Sequence, residues 1–168
     1  AIVETNSCFS DGIQYVTGCT FGNNALVYRD YGKTAFTLAS RDGPGLRLYL
    51  SEEDFLEEEY PETQELFEKV IEKRNGTEEE SQELKNRWRQ IGFDLVSRSA
   101  EDLFSVEKIN SPDLPDYAPI YEDGYCDRCG EKFMAPKGFQ ESGEHLCRSC
   151  AGEGYLQLDG SGLKEING

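Results

Sequence analysis

No stretch of about 18 apolar residues occurs in this chain of 168, so no membrane-spanning helix is available. A basic segment followed by an apolar one, the mark of a secretory leader, is missing too. Basic stripes are also absent. Thirty-three acids face 17 bases, a net charge of −16, and such a surface repels phosphate backbones. Nucleic acid and membranes are set aside as partners. Histidine is confined to His145. The chain opens on Ala1 rather than Met, directly in an apolar stretch, and an N-terminal piece is expected to be missing.

What is present is unevenly placed. Residues 1–50 hold four acids and four bases, which cancel. Residues 51–80 hold thirteen acids and three bases, a surplus of ten negative charges. The length allows one ordinary domain and a small appendage.

The sharpest pattern is a pair of cysteine doublets, Cys126-Asp-Arg-Cys129-Gly130 and Cys147-Arg-Ser-Cys150, with seventeen residues between them. Each doublet aims two thiolates at one point, and together they complete a tetrahedral sulfur shell suited to a structural zinc ion. Iron in the same four-thiolate shell is the other metal the ligands admit. His145 could replace one thiolate, but four sulfurs are the more natural set. Two disulfides are the alternative pairing. Thiolate ligands persist where they stay reduced, which points to the cytoplasm. Residues 126–150 carry four acids and four bases, so the module with its metal is about −2 and offers nucleic acid no basic face.

Residues 1–5 read as a short strand. Ser7 to Thr17 carries a helical pattern, with Phe9, Ile13 and Val16 on one face, Ser7 as N-cap and Gly18 as stop. Alternating runs at 25–30, 34–39 and 46–50 predict an antiparallel meander packed on that helix. Ser51 to Asp54 has capping-box spacing and opens an acidic helical segment over 51–98. Pro61 suits a first helical position, and Leu66, Phe67, Val70 and Ile71 form its apolar stripe. A second helix starts at Thr77, with Leu84, Trp88 and Ile91 inside. The charge run is read as the solvated back of these helices, or as a partner-binding surface. Residues 103–109 return to the sheet, and Pro112, Pro115 and Pro119 stiffen the connection 110–119. The predicted organisation is a core at 1–119, a finger at 120–158 and a loose tail at 159–168.

Two cysteines remain. Cys8 falls in the first turn of the helix, where free amides and the helix dipole stabilise a thiolate. Cys19 follows the stop, between Gly18 and Gly22. Asp11 lies one turn beyond Cys8 and could handle protons. Lys33 sits at a hairpin tip, placed to steady an anion. Free cysteines also pack as small hydrophobes, and that reading stands beside the chemical one. A continuous helix would hold Cys8 and Cys19 about 16 Å apart, so a shared site requires the chain to fold back at Gly18.

Asn6-Ser-Cys8-x-x-Asp11-Gly-Ile-Gln14, Thr17-Gly-Cys-Thr-x-Gly22 and Asp30-Tyr-Gly-Lys33-Thr-Ala-Phe-Thr37 closely resemble the FmdE family of formylmethanofuran dehydrogenase subunits. The likeness continues loosely through Leu103–Val106, and the doublets resemble the accessory zinc finger of some members. It implies an α+β fold, an antiparallel sheet packed with helices and followed by a treble-clef-like or zinc-ribbon-like finger, in a homodimer. It further implies a subunit or accessory factor in one-carbon metabolism, alongside molybdenum or tungsten oxidoreductase subunits that carry a pterin. Members also carry an upstream Gly-His…Cys-Pro-Gly-type segment that completes the core site. That segment is not in this sequence, so no core metal is assigned. The alternative function is a non-catalytic zinc-binding assembly module.

Overall fold

The computed structural model describes residues 1–51 and 54–168. The expected capping box at Ser51–Asp54 runs through 52 and 53 and lies outside the described residues. A five-stranded sheet forms the core, built from β1 (Ile2–Val3), β2 (Val27–Tyr28), β3 (Ala35–Ala39), β4 (Gly45–Leu50) and β5 (Phe104–Ile109). Its order is β2-β1-β3-β4-β5. All pairs are antiparallel except β1–β2, which is parallel because helix α1 (Cys8–Thr17) crosses over between them.

Local chemistry sets the ends of α1. Ser7 is its N-cap, with the hydroxyl accepting from the Phe9 amide, and Gly18 ends it at φ 70°. That left-handed turn suits glycine, which has no Cβ to clash. Phe9 and Ile13 pack on Val3, Leu26 and Phe36. Phe9, Phe36 and Phe104 stack within 5.7 to 6.4 Å of one another. Val16, expected on the same stripe, is 81 % exposed, so the packed part of the helix ends at Ile13.

The register places Ile2, Thr37 and Arg47 side by side on the sheet's other face. Ile2, Glu4, Ala35 and Thr37 are all buried there. The proline-rich connection is tied back toward this part of the sheet rather than hanging free. Arg29 donates to the Asp113 carbonyl and carboxylate, while Arg41 donates to the Pro115 carbonyl and stacks on Tyr117.

The acidic segment folds as short helices α2 (Phe55–Glu59) and α3 (Pro61–Phe67), then α4 (Glu78–Leu95) and α5 (Ala100–Leu103). Helix α3 continues through a π-helical turn at Glu68–Glu72 before the chain reverses into α4. Leu84 and Ile91 are buried as expected, and Trp88 meets Phe67 edge to face at 6.1 Å.

Beyond the connection come two small hairpins, β6–β7 (Asp123–Tyr125, Lys132–Met134) and β8–β9 (Phe139–Glu141, Glu144–Leu146). The one-turn helix α6 (Arg148–Ala151) follows. The last residues differ from the expected loose tail: β10 (Tyr155–Asp159) and β11 (Gly162–Ile166) pair as an antiparallel hairpin. The alternation of Leu156 and Leu158 with Gln157 and Asp159, turned by Gly160-Ser161, is the sequence basis of that hairpin.

Candidate functional site

The four doublet cysteines converge. Cys126 and Cys129 stand on the β6–β7 turn, Cys147 caps α6 and Cys150 lies in its single turn. Gly130 adopts φ 75°, and its amide donates to the Cys126 carbonyl at 2.8 Å, closing the first turn behind its thiols. All four sulfurs lie within 4.8 Å of one another, and Cys129 and Cys147 are 3.9 Å apart. Sulfurs bound to one zinc at about 2.3 Å each would stand about 3.8 Å apart, so the cluster has the dimensions of a filled shell. The His145 ring is turned away and packs on Phe133 at a centroid distance of 5.0 Å.

The Cys147 amide, and that of Cys129, hold the Cys126 thiol down at about 6. Neighbouring thiols, Cys147 first, push Cys150 up to about 12. The same crowding thus favours the thiolate at Cys126 and the thiol at Cys150. A divalent ion removes that conflict by replacing the protons, and four protein ligands leave it no open position for substrate. The donor set fits a structural metal.

The core candidates occupy separate places. Cys8 is exposed at the start of α1 and Cys19 is half-buried past its end, at opposite ends of one continuous helix. The left-handed turn at Gly18 brings Cys19 to the start of the chain: the Ala1 nitrogen is 3.6 Å from its sulfur. Cys19 stands where two clefts meet. One, of about 490 Å³, is lined by Leu38, Leu46 and Lys108, and the other, of about 300 Å³, by Arg41, Pro115 and Tyr117. The Thr17 hydroxyl holds the Cys19 thiol below its ordinary value. Asp11 opens onto a different hollow along α1. Lys33 is exposed and donates its amide to the Glu4 carbonyl at 3.1 Å. The structure therefore gathers the four doublet cysteines but not Cys8, Asp11, Cys19 and Lys33.

Two features were not legible as site elements. Glu4 and Arg47 form a part-buried, two-pronged ion pair of 2.6 and 2.8 Å, signalled only by a charge beside an apolar strand. The terminal hairpin touches the core where the Leu163 amide donates to Asp30. Asp30 also accepts from the Tyr28 hydroxyl, which that carboxylate pushes up to about 12.

Residues 1–105 match the family described as FmdE, molybdenum formylmethanofuran dehydrogenase operon. The chain belongs to the FmdE family. A relative from Archaeoglobus fulgidus, a probable S-adenosyl-L-methionine-binding protein, is 39% identical over 169 residues. That alignment covers 100% of this chain but 44% of the relative, so the chain spans less than half the relative's length. The crystal structure of a tungsten FmdE-like protein from Syntrophus aciditrophicus superposes with a TM-score of 0.54 at 24% identity, covering 90% of this chain and 70% of that one. That likeness speaks for the α+β fold, which the strands and helices above display.

Proposed function

We propose that this FmdE-like chain is a zinc-binding subunit or accessory factor of a molybdenum or tungsten oxidoreductase that carries a pterin and works on one-carbon units in the cytoplasm. In this reading it is a homodimer and its C-terminal zinc is structural. The observation that carries the metal-binding half is the closed set of four sulfurs within 4.8 Å. Family membership supports the enzyme context. When bound, the zinc supplies no open coordination site, only the crosslink between the β6–β7 turn and α6. Any thiolate chemistry in the core falls to Cys19, which has Lys108 and Arg41 across its two clefts to balance an anion. Cys8, Asp11 and Lys33 would then act, if at all, apart from that thiol.

Metal analysis of the purified chain tests the first half. One zinc per chain is expected, lost in both Cys126→Ser and Cys150→Ser and retained in Cys19→Ser. Iron in place of zinc, or metal retained in the finger variants, overturns it. Affinity capture from a cell that makes the pterin enzyme tests the second half, with its catalytic subunits expected in the eluate. The Archaeoglobus relative's name adds S-adenosyl-L-methionine to the ligands titrated, with Cys19→Ser reporting on the Cys19 clefts.

A second reading, a non-catalytic assembly module, is favoured by the separation of Cys8 from Cys19 along α1. Under it, Cys19→Ser leaves every ligand titration and the activity of the captured enzyme unchanged.

A further inference from the structure

Along α1, facing the terminal hairpin, lies a hollow of about 190 Å³. Val3, Leu26 and Leu158 give it an apolar lining, and Asp11, Gln14 and Asp159 a polar rim. Its walls come from both ends of the chain, because Leu158 and Asp159 belong to β10. That wall is pinned twice. The Asn6 side-chain amide donates to the Asp159 carbonyl, and the Leu163 amide donates to Asp30 at 3.3 Å.

The charged groups that line the hollow, Asp11 and Asp159, have one sign. No lysine or arginine among the described residues lines it. The Asp159 carboxylate is already occupied, accepting from Ser161 at 2.6 and 2.9 Å and from Gln157 at 2.8 Å. Asp11 makes no side-chain hydrogen bond or ion pair with any described residue, which leaves its carboxylate open to a ligand. Phe21 and Tyr28 line the same space and bring aromatic carbon to it. An anion would meet two carboxylates, of which Asp159 alone has a cation beside it, Lys164 at 3.5 Å. A bare metal ion would find one free carboxylate, too few oxygens for calcium or magnesium.

We propose that this hollow binds a small organic cation, a primary ammonium on a short apolar or aromatic body. Asp11 takes the charge, the apolar lining takes the body, and β10–β11 forms one wall. The hairpin follows the finger directly, so the metal module's second service is to present a wall of a ligand site in the core. This does not rest on the enzyme context proposed above, and it stands or falls without it.

Benzylamine is the probe, with benzoate as the anion of similar shape. Amide shifts are followed by NMR on the zinc-loaded chain. Benzylamine is expected to give saturable shifts at Gln14 and at Leu158 together, and benzoate none there. Asp11→Asn should weaken benzylamine about tenfold, the effect of losing one charge-assisted hydrogen bond worth about 1.4 kcal/mol. Leu158→Arg, which would place a tethered cation at the rim, should block the probe while leaving the β3 and β4 amides unmoved. Equal binding of benzoate overturns the proposal. So does undiminished affinity in Asp11→Asn, or benzylamine shifts that leave either α1 or β10 silent. Loss of zinc from Cys126→Ser with benzylamine behaviour as expected in the parent chain would uphold both proposals separately.

Discussion

Glu4 is 5 % exposed directly after a strand whose residues, Ile2 and Val3, are apolar and buried. A carboxylate in that position is stable only with a partner, because burial strips its water. Arg47 supplies both prongs, at 2.6 and 2.8 Å. From the sequence, Arg47 belongs to the outward side of a half-buried strand. The structure makes that side a buried one, and no alternation pattern distinguishes a solvent-facing arginine from one that meets a buried acid across two strands. Arg47→Ala leaves Glu4 uncompensated and should cost about 3 kcal/mol, read as a lower urea midpoint with an unchanged slope. The Arg47 guanidinium also holds Glu4 below its ordinary value of 4.5. A lowered folded-state value stabilises above the unfolded value, so this contribution is complete above about pH 5 and is lost as pH falls below 4.5. Arg47→Ala should therefore flatten the acid limb of stability against pH. A variant that loses stability equally at pH 4 and pH 7 contradicts this account.

Elements were legible where end signals and periodicity agreed. Ser7 and Gly18 bound α1 at the residues expected, and Thr77 opens α4 with a full capping box. The Thr77 hydroxyl accepts from the Glu80 amide at 3.2 Å, and Glu80 accepts from the Thr77 amide at 2.9 Å. Glu80 also pairs with Lys69 of the π-helical turn, so this cap joins the two acidic helices. Thr77→Ala should cost about 1 kcal/mol, measured by thermal unfolding, whereas Thr77→Ser should cost little because it keeps the hydroxyl. Equal losses in the two variants would mean that packing of the methyl group matters and the cap does not. The π-turn itself had no sequence signature, since the stripe of Phe67, Val70 and Ile71 fits an ordinary helix equally well. The terminal hairpin escaped notice for a different reason. A boundary at residue 159 cuts it through its own turn, where the Asp159 carboxylate fixes Ser161 and is thereby held below the usual carboxylate range. Half a hairpin reads as a polar tail.

At the scale of the molecule, the core and the finger are stabilised in different ways. The core has a continuous apolar centre of Val3, Leu26 and Phe36, with Phe9 and Phe104 stacked on Phe36. In the finger the buried apolar residues are Cys126 and Leu146, too few to hold three short elements together without a crosslink. The doublet spacing made the gathering of the four cysteines legible, whereas the docking of β10–β11 on the far end of the chain depends on contacts such as Asp30–Leu163, 133 residues apart, which no local pattern encodes. Stripping the metal should therefore divide the molecule. With a mercurial to cap the thiols and displace the ion, and a chelator to take it up, amide exchange over residues 123–151 should rise to unfolded rates. The amides of β3, β4 and β5 should keep their protection, because their hydrogen bonds lie wholly within the sheet. The amides of β10 and β11 should exchange at intermediate rates, released from α6 yet still docked through Asn6 and Asp30. Removing the mercurial with excess thiol and then adding zinc should restore all three classes. If the sheet loses protection along with the finger, the two parts form one cooperative unit and the division drawn here is wrong. If the finger stays protected without metal, its four cysteines are not what holds it.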